Sequence, residues 1–464
     1  LNYRLLITLL CFASLSYSAG QSDVALVRGA NVGQAIITPA PIGSRLPRLR
    51  LMPNGDVLMS WIEPRGDGHV LKFGQLHNGH WIKSGEVSHG LNWFVNWADY
   101  PSVVAIDANF WAAHWLVRQK GGKAFDYDVR MAISNDAGLS WREIGSPHRD
   151  RTASEHGFVT IFKDADGAGV IWLDGRDYVK KDVLVHHPEK SANFNLRYTH
   201  ISRDGDLGDE VIVDANTCTC CWTSVALTDE GPVAAWRSRT GNEIRDNKVA
   251  LMRSGKWTLP VPLGDEGWVI EGCPVNGPSL ASRGHQVAAA WFTAQGDRPR
   301  VRASFSSNHG ETFGPSIDVD VAAPLGRIGL DWKDEHTAVI SWMTAANQDK
   351  KSSLAFRLIK KDGRLGPIRH TAELSPGREA GVPQMIAAER GLLLAWTDVA
   401  PHYGIKMHAI NWHQLQADKF QFAGLQLYMP QSDQSGSLVL SAQHLVSKNL
   451  LPFSPYICKQ PHSN

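Results

Sequence analysis

The chain has almost no net charge: 47 lysines and arginines stand against 46 aspartates and glutamates, and charged residues make up 20% of the total. No global field draws it to nucleic acid or to an anionic membrane surface, so any recognition of charge is local. Long hydrophobic runs are missing too. The apolar stretch within the opening LNYRLLITLLCFASLSYSAG is too short to favour a membrane span. One arginine before it and small residues after it give the layout of a secretory signal peptide. Cleavage is expected near Ser18 to Gly20, giving a secreted or periplasmic product, and Leu10 ahead of Cys11 is too large for a lipoprotein site. Cysteine is scarce, six in 464 residues, of which Cys218, Cys220, Cys221, Cys273 and Cys458 would remain after cleavage.

What is present is a repeat. Trp61, Trp115, Trp172, Trp236, Trp291, Trp342 and Trp396 recur at spacings of 54, 57, 64, 55, 51 and 54 residues, each inside a short apolar strand. A period of that size, filled with short strands and Gly/Asp turns, is the signature of a β-propeller with one four-stranded blade per repeat. The all-β reading is therefore a signal peptide over 1–20, a propeller over 31–412 and an irregular tail over 413–464. Seven A strands begin near Arg45, Asp99, His156, Cys221, Asn276, Arg327 and Gly381, which predicts seven blades, with six as the alternative. The seventh repeat runs out after strand C, while QAIITPA near the N-terminus is a spare strand. Pairing the two would close the ring and remove exposed sheet edges.

Two turns between strands C and D carry a further pattern. Ser134-Asn-Asp136-Ala-Gly138-Leu-Ser-Trp141 is a full Asp box, and Ser306-Ser-Asn308-His-Gly310-Glu-Thr-Phe313 is a degenerate one. Their expected role is structural, a tight Asx and Gly turn with an aromatic tucked under the blade. Asp boxes on propeller blades resemble the sialidase superfamily. The resemblance extends to Ser44-Arg45-Leu46-Pro47 followed by Gly55 to Arg65, and to exported sialidase-like BNR-repeat proteins with a Cys-x-Cys-Cys element. It implies that Arg45 binds a substrate carboxylate. Sialidases have six blades and use an arginine triad, an acid/base Asp and a Tyr nucleophile activated by a Glu. Only the first arginine falls on a recognisable motif here.

In a propeller the D-to-A and B-to-C loops share one face of the ring. Those loops are rich in arginine, including Arg45, Arg176, Arg237, Arg245, Arg327 and Arg378, with His156 among them. Guanidinium forks match carboxylate and sulfate oxygens, so the expected partner is an anionic carbohydrate bound by a monomer. Pairing with neighbouring acids, such as Asp174 with Arg176 or Glu243 with Arg245, is the alternative for each arginine. For glycoside hydrolysis, Asp99 between Trp97 and Tyr100 is the candidate acid, its apolar neighbours raising its pKa. A turn-capping role is the alternative. Tyr403 and Glu243 are the candidate nucleophile and activating carboxylate. A lyase acting beside a uronate carboxylate would need a base, for which His156, His402, Tyr178 and Tyr403 are available. A non-catalytic binding propeller is the third reading.

Cys218, Cys220 and Cys221 enter blade 4 and Cys273 enters blade 5, so they should meet at one seam. Export favours a disulfide there. A thiolate metal site is the alternative, and no other cofactor is implied.

Overall fold

The computed structural model describes residues 33–180, 194–399, 403–415 and 421–422. The expected signal peptide, Cys11, His402, Cys458 and most of the expected tail lie outside the described residues.

Seven antiparallel sheets follow one another around a ring, each built in the order A-B-C-D. In blade 1 these strands are Arg45–Leu51, Val57–Arg65, Gly68–His77 and His80–Gly90. Blade 7 takes three strands from the C-terminal end, Gln384–Ala388, Gly391–Asp398 and Gly404–Asn411. Its fourth is Gln34–Ile36, registered Gln34 to Ala409 and Ile36 to Met407. The seven-bladed ring is thus closed by the spare N-terminal strand. Blade 6 carries a further short strand, Arg364–Leu365, paired with Gln421–Phe422.

Each B strand is apolar on both faces because it sits between two neighbours. Leu58 and Ile62 pack towards blade 2, whereas Val57, Met59 and Trp61 pack towards blade 7. Every seam holds its own buried cluster, and each repeated tryptophan lies in the seam with the preceding blade. Three of their indole N–H groups cross that seam to a carboxylate: Trp236 to Asp214, Trp291 to Glu266 and Trp342 to Asp320. A buried indole N–H usually finds such an acceptor.

The Asp box folds as its sequence implies. Ser134 Oγ accepts the Gly138 N–H at 2.7 Å, Asp136 accepts the Ser140 N–H at 2.9 Å, and Trp141 packs edge-on to Phe73 of blade 1. The degenerate box repeats this with Ser306, Asn308 and Gly310.

Candidate functional site

Strands A of neighbouring blades touch one another around the centre of the ring. Three of them begin with a bulge that turns a non-glycine residue to positive φ: Leu46 at 59°, Phe158 at 53° and Arg327 at 55°. The bulge frees a backbone N–H, and in each case a side chain of an adjoining blade receives it. Leu46 donates to Thr397 Oγ1 at 3.0 Å, Phe158 to Asp99 Oδ1 at 2.8 Å, and Arg327 to Asn276 Oδ1 at 2.7 Å. These are latches between blades. Two need glycine just before the bulge, because a Cβ on Gly157 would lie 1.9 Å from Asp99 Oδ2 and one on Gly326 would lie 2.3 Å from Asn276 Oδ1.

The latch into blade 3 differs chemically from its counterparts, since Asp99 is an acid where the others use an amide or a hydroxyl. Its second oxygen accepts the Tyr127 hydroxyl at 2.6 Å, and the same hydroxyl oxygen lies 3.1 Å from Glu155 Oε1. One hydroxyl proton cannot serve two carboxylates. The short contact assigns it mainly to Asp99, and the same hydroxyl points to Glu155 only at the longer distance. Burial pushes Asp99 up to about 7 against the bonds from Tyr127 and Phe158. Burial and the nearby Asp99 charge hold Glu155 well above the usual carboxylate range. Burial and the two acids raise Tyr127 well above its ordinary value, so it keeps its proton. Asp99 and Tyr127 are buried, whereas Glu155 is half-buried and is the least enclosed of the three. Sequence reading found Asp99 but missed Tyr127, the first residue of strand C in blade 2 (Tyr127–Ser134).

Asp99 makes stability depend on pH. Its pKa is near 3.8 when the chain is unfolded and about 7 when folded, so between those values the folded state binds more protons. Stability therefore falls as pH rises from about 4 to about 7, by up to about 4 kcal/mol. Asp99→Asn keeps the acceptor for Phe158 and removes this loss. Urea unfolding at pH 5 and pH 8 should show the variant gaining on the wild type at the higher pH, and an unchanged difference would refute the assignment.

The predicted site residues separate into two groups. Arg45, Arg378 and Tyr403 are exposed at the mouth. The other arginines spend their donors on the protein. Arg176 engages Asp174 at 2.7 Å, Glu210 at 2.8 Å and Asp150 at 3.3 Å. Arg237 donates to the carbonyls of Asn276 and Phe292 and lies over Trp268. Arg327 donates to the carbonyls of Gly381 and Gly377 and covers Trp97, and burial lowers it to about 10. His156 is fully buried, stacked on His148 and facing Asp150 and Asp174. Glu243 is clamped between Arg239 and Arg245, whose hydrogen bonds outweigh burial and hold its carboxyl below the usual range. An acid held ionised in this way is a brace for Arg245 rather than an activator of Tyr403.

The four described cysteines are free thiols. Cys218 Sγ is 3.7 Å from Cys220 Sγ and 3.5 Å from Cys221 Sγ, against about 2.05 Å for a disulfide. This corrects the expectation of a disulfide among them.

Two arginines outside the loops are also notable. Arg48 and Arg50 share one face of strand A in blade 1. Arg48 reaches Tyr100 of blade 2 at 2.9 Å and Gln384 of blade 7 at 2.8 Å, so it points towards the ring centre. Neither has a carboxylate partner among the described residues, and burial together with Arg48 lowers Arg50 to about 9. Loop reading missed them because they lie within a strand.

No family model and no curated protein matches this chain. Solved structures do. The chain is similar to an ulvan lyase representing a new polysaccharide lyase family, at 12% identity and a TM-score of 0.49 over 82% of this chain and 94% of that one. It is also similar to a Trypanosoma rangeli sialidase solved with sialic acid, at 12% identity and a TM-score of 0.44 over 82% and 60% of the two chains. A Hadza microbial sialidase gives 14% identity and a TM-score of 0.43 over 69% and 66%. Its structural neighbours thus include glycan-active propellers. The roles of individual residues rest on this chain's own geometry.

Proposed function

We propose that the mouth of the ring is a glycan-processing site that cleaves a glycosidic bond in an anionic sugar by general acid chemistry, with water added across the bond. The observation that carries this reading is the chain Glu155–Tyr127–Asp99. An amide at position 99 would hold the Phe158 latch as Asn276 holds that of Arg327. A buried acid instead costs stability above its unfolded pKa, and what it adds is a proton store behind the hydroxyl. Glu155, the least enclosed of the three, gives its proton to the leaving oxygen. With Asp99 protonated, as it is below about pH 7, the Tyr127 hydroxyl turns from Asp99 to Glu155, gives it a proton and takes one from Asp99, and the proton lost by the attacking water restores the chain. Arg48 and Arg50 supply uncompensated positive charge for a carboxylate or sulfate on the sugar. Arg45 adds charge at the rim, and an exported setting follows from the leader-like opening residues.

The lyase reading has less support. Of its candidate bases His156 is sealed among Asp150, Asp174 and Arg176, which leaves only the exposed Tyr178 and Tyr403 among the described residues.

Mass spectrometry of products from sialylated, sulfated and uronate-rich glycans tests the reaction. Products that gain one water are expected, with turnover falling as pH rises through about 7. An unsaturated sugar, or no product from any glycan, would overturn the proposal. Tyr127→Phe breaks the relay while keeping the ring, and should lower turnover by about 10²-fold with little change in KM.

A further inference from the structure

The cysteine cluster adjoins this acid chain at Glu155, which feels Cys218 and Cys273, and has its own geometry. Cys218 follows directly on strand D of blade 3 (Val211–Thr217), and its N–H donates to the Arg237 carbonyl of blade 4 at 2.9 Å. Cys218 and Cys221 are buried, Cys220 is half-buried, and the three sulfurs all lie within 4.8 Å of one another. Cys273, on the following D-to-A loop, approaches from the side, 3.9 Å from Thr219 Oγ1 and in contact with the Cys220 thiol, but outside the mutual 4.8 Å spacing of the other three sulfurs.

The sulfur spacing has a simple chemical reading. An ion about 2.3 Å from each of several thiolates holds those sulfurs about 3.8 to 4.0 Å apart. The observed 3.5 and 3.7 Å are close to that and far from a covalent S–S bond. A guanidinium completes the arrangement. Arg245 Nη1 donates to Cys218 Sγ at 3.3 Å, while Glu243 holds the other side of the same guanidinium at 2.6 Å. A fixed cation donating to sulfur is the outer-shell contact that steadies a metal-bound thiolate and offsets the negative charge of three of them. Glu243–Arg245 is therefore a positioning pair.

We propose that Cys218, Cys220 and Cys221 bind one soft d10 metal cation as a three-sulfur site, with Cu(I) the preferred ion and Zn(II) the competitor. The ligand set has no imidazole or carboxylate, and thiolates select soft ions. Zn(II) ordinarily takes four ligands, whereas three sulfurs satisfy Cu(I).

The test uses the full chain, reduced and handled without oxygen. Cu(I) is titrated in competition with bicinchoninate, and Zn(II) against a pyridylazo dye. One Cu(I) per chain, with a sulfur-only first shell in X-ray absorption, is the expected result. Arg245→Met should weaken Cu(I) binding by about 10- to 100-fold while leaving one ion bound per chain at saturation. Cys218→Ser should abolish tight binding. If that variant does not fold, Cys221→Ser and the wild-type stoichiometry still decide. Retention of one copper in Cys273→Ser supports three ligands, and its loss overturns them. A single zinc bound by four sulfurs would overturn the Cu(I) assignment, and failure of the reduced chain to bind either ion would overturn the site.

Discussion

Gly157→Ala is expected to cost about 4–5 kcal/mol of stability and to lower glycan turnover by at least about 10³-fold. The added methyl would sit 1.9 Å from Asp99 Oδ2 and 2.6 Å from the Tyr127 oxygen, and both of those groups are buried. Neither is the loose end of a flexible side chain, so the strand, the carboxylate or the tyrosine must move. Any of these movements breaks the acid chain and the latch together. Gly326→Ala is the matched control. Its methyl would strike Asn276 Oδ1 at 2.3 Å, opening a latch of the same design that carries no titrating proton. Urea unfolding and turnover measured together should show both variants destabilised, with only Gly157→Ala losing chemistry beyond its folded fraction. Equal turnover losses per folded molecule would remove Asp99 and Tyr127 from the reaction.

Removing residues up to and including Thr38 is expected to have a still larger effect on the fold, about 5 kcal/mol or more, together with self-association. Blade 7 would lose its outer strand and leave Gly404–Asn411 as a bare edge. Ile36 would leave the cluster between blades 7 and 1, and Trp81 of blade 1 would lose the Ile37 carbonyl that now accepts its indole N–H at 2.8 Å. The closing strand thus ties blade 1 to blade 7 through both backbone and side chains. Calorimetry should show a lower and broader transition, and light scattering should show species larger than a monomer. A synthetic peptide covering residues 31–40, added in trans, should restore the monomer by strand addition. An unchanged midpoint in the truncated chain would mean that the ring is held without this closure.

The fold was legible because a propeller repeats its own physics. Each blade needs one bulky residue in the seam with its predecessor, so the tryptophan recurs at the same place in strand B and the count of blades can be read from Trp61 to Trp396. The unpaired last repeat and the spare QAIITPA likewise predicted their own partnership. The site was legible only in part. Asp99 stood out by its aromatic neighbours, and the loop residues could be assigned to one face by topology.

What those side chains do was settled by partners far away in sequence. Arg237 and Arg327 read as charges in loops, yet each turns inward to carbonyls supplied by other strands and blades, while Arg176 takes the Asp174 pairing open to it in the sequence and adds Glu210. Glu243 reads either as an activating carboxylate or as a partner of Arg245, and the structure closes both Arg239 and Arg245 on it. The proton affinity of Asp99 depends on its burial and on Tyr127 and the bulge at Phe158, which reach it across 28 and 59 residues of chain. The sequence by itself determined the periodic apolar strands, and with them the number of blades and the strand that closes the ring, because those are set by near-neighbour pattern. Only the tertiary structure decided which charges are spent as braces and which acids hold protons, because desolvation and pairing are properties of the assembled ring.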